Sequence, residues 1–333
     1  MFENLARREE ATFADSTVQV RIGELLLPDG LPLEHGGRLA PCSVAYEMVG
    51  PVGAPVVAVL GGISGHRHVA AHGHDPSAGW WENQGGPGGP LDPRRIRRLS
   101  IDWIHGPGMA VTPADQSTAL VAVLDALGVH RLDTVVGASY GGMVALAMAA
   151  RHPGRLGSAL VIGAAHESHP MAQALRSVQR RIVEMGIRTG EPYDAMVLAR
   201  SLAMTTYRSD VDYRRRFRGP LTFEDGKARF PVEDYLEHNG RKFADRVSPE
   251  AFLCLCQSLD IHSVEPRDVA VPLTLVSIDT DSIAPPWQVE ELRRGLRVES
   301  ELIHVHSPNG HDAFLTEADT FGDILSTYLD GLE

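Results

Sequence analysis

Between an apolar run and an alanine-rich one, the chain carries Gly137-Ala138-Ser139-Tyr140-Gly141, a serine with a glycine two positions away on either side. A serine hydroxyl attacks a carbonyl carbon only when a neighbouring base takes its proton and a carboxylate orients that base. A serine pushed out of a sharp strand-to-helix turn also needs neighbours without Cβ atoms. The five-residue pattern is weak alone, and its setting strengthens it: LDTVV reads as a strand before it and MVALAMAA as a helix after it. This architecture requires the acid and then the histidine, each after a later strand. PLTLVSIDTDSIAPP supplies Asp279 or Asp281, and SELIHVHSPNGHDAFL supplies His311 in a loop opened by Asn309-Gly310. His304 and His306 fall within the strand pattern itself and read as structural. Ser139, Asp281 and His311 therefore meet the required order. Two backbone N–H groups must also face the oxyanion. Tyr140, the residue after the serine, and Ile63, in the GGIS that follows PVVAVL, are the expected donors.

Such a site needs a rigid frame. VQVRIGELLL and SVAYEMVG alternate apolar and polar residues from about Thr17 to Glu47, the period of half-buried antiparallel strands. PVVAVLGG is a continuous apolar run and suits a strand buried on both faces. RLSIDWIHGPG is a weaker strand ending in a turn. A helix then starts near Asp115 and stops at Gly128, followed by the strand LDTVVGAS, a helix ended by Pro153 and the strand LGSALVIGAA. Strand and helix in alternation imply a mostly parallel central sheet flanked by helices. From Glu167 to Pro266 only helical spacing is evident, in MAQALRSVQRRIVEMG, AMVLARSLAMTTY, VEDYLEHNGRKFADR and PEAFLCLCQSL, and no strand pattern intervenes. The expected organisation is an α/β core over residues 1–166 and 267–333, interrupted by a helical cap over 167–266.

Composition excludes several functions. A formal net charge of −12 over 333 residues disfavours a nucleic-acid partner, since phosphate binding needs a basic surface. No run of about 18 apolar residues is present, which argues against a membrane span. The opening MFENLARREEATFADS lacks the apolar core of a secretory signal, and a cytoplasmic protein is expected. Cys42, Cys254 and Cys256 are too few for a disulfide framework and read as small core residues in a reducing compartment. His66, His68, His72 and His74 look like metal ligands, but no carboxylate or thiolate completes a recognisable set nearby. No metal and no cofactor is expected, and the histidines read as a polar wall or surface loop.

With these residues in place, the chain resembles the homoserine O-acyltransferases of the α/β-hydrolase superfamily. The likeness is carried by AGWWENQGGPGGPLD, by GASYGGMVALAMAARHP with Tyr140 where methionine is usual, by ALRSVQRRIVEMG, by MTTYRS and by SPNGHDAFL. It implies an α/β-hydrolase fold with a cap, and a serine that takes an acyl group from acyl-CoA and passes it to the hydroxyl of L-homoserine. It implies Ser139 as nucleophile, His311 as base and Asp281, rather than Asp279, as the orienting acid. It further implies that Asp312 binds the acceptor's amino group, that Arg180 holds its carboxylate, and that Tyr207 and Arg208 line the substrate tunnel. A homodimer through the cap is implied as well. The loop HGPGMAVTPAD is shorter than the family's usual glycine- and serine-rich loop, and this compact form favours succinyl slightly over acetyl transfer, with Arg181 or Arg208 available for the succinyl carboxylate. Serine as acceptor, and an esterase or thioesterase with the same triad, are the alternatives.

Overall fold

The computed structural model describes the backbone of residues 5–12 and, with side chains, residues 18–332. Nine strands form one sheet: β1 (Leu5–Thr12), β2 (Gln19–Leu27), β3 (Cys42–Gly50), β4 (Val56–Leu60), β5 (Arg97–Ile101), β6 (Leu132–Ala138), β7 (Leu156–Ile162), β8 (Leu273–Ile278) and β9 (Ser300–Val305). Their spatial order is β1-β2-β3-β5-β4-β6-β7-β8-β9. The first three and β5 pair antiparallel, and every pairing from β5 through β4 to β9 is parallel. β1, rich in charge, carries no strand signal in the sequence, and the expected start of the alternation at Thr17 lies outside the described residues.

The parallel strands read as unbroken apolar runs because both faces are covered. Along β4, Ala58 and Leu60 enter one core, while Val57 and Val59 enter the other. The first core receives α1 (Pro113–Leu127), α2 (Tyr140–Arg151) and α8 (Pro286–Gly295); the second receives α9 (Ala318–Asp330). α1 begins at a capping box between Thr112 and Asp115 and ends at Gly128 in the left-handed region.

Between β7 and β8 lie the remaining long helices: α3 (Pro170–Thr189), α4 (Pro192–Tyr207), α5 (Asp210–Arg216), α6 (Pro231–Ala244) and α7 (Pro249–Asp260). They bury a small core of their own, including Val183, Met196, Phe243 and Phe252. One feature departs from the sequence reading of this segment, which found no strand. Thr222–Glu224 and Lys227–Arg229 form an exposed hairpin. Its turn is Asp225-Gly226, both at positive φ, a known hairpin signal. Three-residue strands with no buried face leave no alternation to detect.

Sheet order explains where a site can form. β5 lies on one side of β4 and β6 on the other, so the chain reverses direction across the sheet there. Ligands of open α/β sheets bind outside the carboxyl ends of strands at such a reversal. The two loops that leave β4 and β6 are GGIS and the turn at Ser139.

Candidate active site

Ser139 sits at φ 56° and ψ −118°, a backbone conformation that costs a non-glycine residue about 1–3 kcal/mol. The flanking glycines make it possible. A Cβ on Gly137 would lie 2.3 Å from the Gly141 carbonyl oxygen, and a Cβ on Gly141 would lie 2.1 Å from the Leu60 carbonyl oxygen. The Gly141 N–H also donates to the Gly61 carbonyl at 2.8 Å, which fastens the turn to the β4 loop. The glycines thus serve both the turn and its close packing on β4. The serine projects where α2, buried along nearly its whole length, begins.

His311 joins the serine to an acid. Its Nε2 lies 2.7 Å from Ser139 Oγ, and its Nδ1 lies 2.6 Å from Asp281 Oδ2. Asp281 Oδ1 accepts from the N–H groups of Ile283 and Ala284 at 2.8 and 3.0 Å, which aims the carboxylate at His311. Burial works to lower the His311 pKa, but the charge of Asp281 and its hydrogen bond outweigh it, and the net shift is upward. Asp279 faces elsewhere: it accepts from the Ser307 N–H at 3.0 Å and meets His306 at 3.1 Å. His304 and His306 are both exposed, and His306 lies just past the end of β9.

Two chambers meet at this triad, and Ile63, Ser139, Tyr207 and His311 line both. The smaller, ≈ 80 Å³, is walled by Met171, Leu175, Arg176, Gln179 and Leu259 from the cap. The larger, ≈ 570 Å³, contains Arg200, Arg208 and Asp312 and opens between α6 and the β4 loop. Asp312 therefore lines the same chamber as Ser139. It already has a partner: Arg208 Nε donates to its Oδ2 at 3.1 Å. Burial raises the Asp312 pKa against the pull of Arg208 and His311.

Arg180, expected at the acceptor carboxylate, lines neither chamber. Its guanidinium is bonded to Asp260 and donates to the Cys256 carbonyl at 3.3 Å. One turn earlier on α3, Arg176 shares Asp260, with Nε 2.6 Å from Oδ1, is bonded to Ser168, and reaches the smaller chamber. Arg181, considered for a succinyl carboxylate, is exposed. Arg200 was missed. It lies seven residues before Tyr207, two turns along the same face of α4. Its guanidinium sits 4.8 Å from the Tyr207 ring and 4.6 Å from the Phe243 ring, with Nη1 donating to Tyr207 Oη at 3.2 Å. No carboxylate lies within ion-pair distance of it among the described residues, so it can receive one.

The histidine-rich loop also differs from its sequence reading. A carboxylate does complete the group, and it arrives from β3: the ligand-capable atoms of Glu47, His68 and His72 lie within 4.8 Å of one another. His68 Nε2 donates to the Ser77 carbonyl at 2.8 Å while its Nδ1 meets Glu47 at 3.0 Å. His72 Nδ1 accepts from the N–H groups of His74 and Asp75 at 3.3 and 3.4 Å, which leaves the proton on Nε2, 3.1 Å from Glu47. The cluster ties the loop after β4 to β3. Of the four histidines, His66 alone lines a chamber.

A strained serine elbow, a histidine on an acid, and a crevice at the sheet reversal define the chain as a protein of the α/β-hydrolase fold. The pattern of the alpha/beta hydrolase fold family matches residues 91–318. A homoserine O-succinyltransferase of Xanthomonas campestris pv. campestris is 40% identical over 96% of this chain and 86% of its own length. A serine O-succinyltransferase of Stenotrophomonas maltophilia is 32% identical over 92% of this chain and 96% of its own. The crystal structure of a homoserine O-acetyltransferase from Bacillus anthracis superposes with a TM-score of 0.83 at 16% identity, covering 93% of this chain and 97% of that one, a likeness of fold. The chain belongs to the homoserine O-acyltransferase family.

Proposed function

We propose that the protein moves an acyl group, succinyl in preference to acetyl, from acyl-CoA to the hydroxyl of L-homoserine by way of acyl-Ser139. The observation that carries this reading is the pair of chambers meeting at one serine, each with an arginine of its own. His311 takes the Ser139 proton as Oγ attacks the thioester carbon, and the N–H groups of Ile63 and Tyr140 receive the oxyanion. Collapse expels the CoA sulfur, which leaves with the proton from His311. Homoserine's hydroxyl then gives its proton to His311, attacks the acyl carbon, and releases Ser139, which regains a proton from the imidazolium. No cofactor enters these steps.

The smaller chamber suits the short acyl chain, and Arg176 is placed for a terminal carboxylate, which favours succinyl. The larger suits the amino acid: Arg200 for its carboxylate, Asp312 for its ammonium, with Tyr207 and Arg208 beside them. The cap shields the acyl-enzyme from water, without which the same triad is a thioesterase. α3 exposes Met171, Val178 and Met185 at spacings of seven, 62%, 46% and 52% accessible, an apolar stripe suited to pairing with a second copy. No described helix is long and apolar enough to cross a membrane. Free, buried Cys42, Cys254 and Cys256 suit a reducing cytoplasm.

The test is CoA release from succinyl-CoA and acetyl-CoA, each with homoserine, with serine and with neither. Succinyl-CoA with homoserine is expected to be fastest. Release as fast without an acceptor overturns the transferase reading in favour of a hydrolase, and a preference for serine moves the assignment to a serine O-acyltransferase.

A further inference from the structure

An acidic chain has a basic opening at its larger chamber. Acidic residues exceed basic ones by 43 to 31 overall, yet the wall of the larger chamber carries Arg200, Arg208, Lys242 and Arg246 against a single carboxylate, Asp312. Arg208 is committed to Asp312, and Arg200 is half-buried and stacked on Tyr207 and Phe243. Lys242 and Arg246 are different. They are exposed, four residues apart at the end of α6 and in the turn after it, and they line the same chamber as Ser139. Arg246 Nε donates to the Lys242 carbonyl at 3.2 Å, which folds the Arg246 side chain back onto the end of α6. Their neighbour Arg241 turns away and pairs with Glu237 at 2.7 Å. Neither Lys242 nor Arg246 has a carboxylate within ion-pair distance among the described residues.

We propose that Lys242 and Arg246 form a phosphate-binding lip that holds the nucleotide end of the acyl donor, an inference that rests on the acyltransferase reading. An amino-acid acceptor is a zwitterion and needs no net positive charge at the entrance. The donor carries phosphates that a chain of net charge −12 repels over most of its surface. A local pair of cations at the mouth reverses that field where the donor must enter. A guanidinium fork grips a phosphate directly and an ammonium acts as a point charge beside it. The phosphates stay outside at the lip, while the thioester arm passes down the chamber to Ser139.

The experiment compares two succinyl donors, succinyl-CoA and the phosphate-free succinyl-pantetheine, on the wild type and on the double variant Lys242→Gln, Arg246→Gln. The KM for succinyl-CoA is expected to rise roughly tenfold, as two exposed ion pairs of ordinary size would give. The KM for succinyl-pantetheine should change less than twofold. The wild-type KM for succinyl-CoA should also rise with ionic strength and lose that dependence in the variant. Inhibition by desulfo-CoA reads the lip without turnover, and its inhibition constant should rise by the same factor. Equal rises for both donors would mean that the substitutions disturb the cap, and no rise for either would mean that the lip does not touch the phosphates; each overturns the proposal. Failure of both donors to acylate homoserine on the wild type would instead overturn the acyltransferase reading.

Discussion

The two chambers share Ile63, Ser139, Tyr207 and His311 and differ in the rest of their walls. The smaller is lined by Met171, Leu175, Arg176 and Gln179 of α3, by Cys256 and Leu259 of α7, and by Thr206 and Tyr207 of α4. The larger is polar, open and several times the volume, with cations from α4 to α6 and the lone carboxylate Asp312. One serine is thus flanked by a small chamber sized for a short chain and by a larger one wide enough for two successive partners. That asymmetry is what a two-step transfer needs. In the proposed reaction the acyl group stays behind in a pocket that the departing thiol and the arriving hydroxyl do not occupy.

The largest effect should come from the atom common to both chambers. Ser139→Ala should lower turnover by at least about 10⁴-fold and abolish the initial burst of CoA release, because no acyl-enzyme can form. The melting temperature should hardly move, since Cβ remains. Residual transfer near the wild-type rate would mean direct transfer between bound substrates, and the two-chamber division would lose its meaning.

The next effect separates the chambers. Arg176→Gln should raise the KM for succinyl-CoA by about 10- to 100-fold, the loss of one charge-assisted contact, and leave acetyl-CoA within a few-fold of wild type. Arg200→Gln should instead raise the KM for homoserine by a similar factor and spare the burst. Asp260 keeps Arg180 when Arg176 is replaced, and a thermal melt of the variant checks that the cap persists. Identical profiles for the two variants would show that the arginines do not address different substrates.

Much of this site is legible in the sequence, and the parts that are not have a common cause. The turn at Ser139 announces itself because its glycines, strand and helix are contiguous. The order of Asp281 and His311 follows from where strands end, which apolar runs reveal. Arg176 and Arg180 are one turn apart on the same face of α3, and helical spacing does not say which end of a stripe lies over the serine. Arg200 could have been found from its spacing to Tyr207, but a guanidinium between aromatic rings has no local signature. Glu47 joins His68 and His72 only because β3 runs beneath their loop, a pairing of residues more than 20 positions apart. Local chemistry is readable where it is local; contacts made by folding are not.

The smallest effect tests whether one base serves both chambers. In a two-step mechanism, kcat/KM for the donor reports the free enzyme and kcat/KM for the acceptor reports the acyl-enzyme. His311 must be neutral to take a proton, so both quantities should rise with pH and level off once the imidazolium is lost. Asp281 stabilises the charged ring more than burial opposes it, so both limbs should bend above the ordinary imidazole value of 6.5. Below the bend each quantity should fall tenfold per pH unit. Asp281→Asn removes the charge that favours imidazolium, so the bend should move to lower pH in both profiles while the plateau drops. A bend that moved in the donor profile alone would place a different base on the acceptor's side, and the shared wall of the two chambers would be structural there.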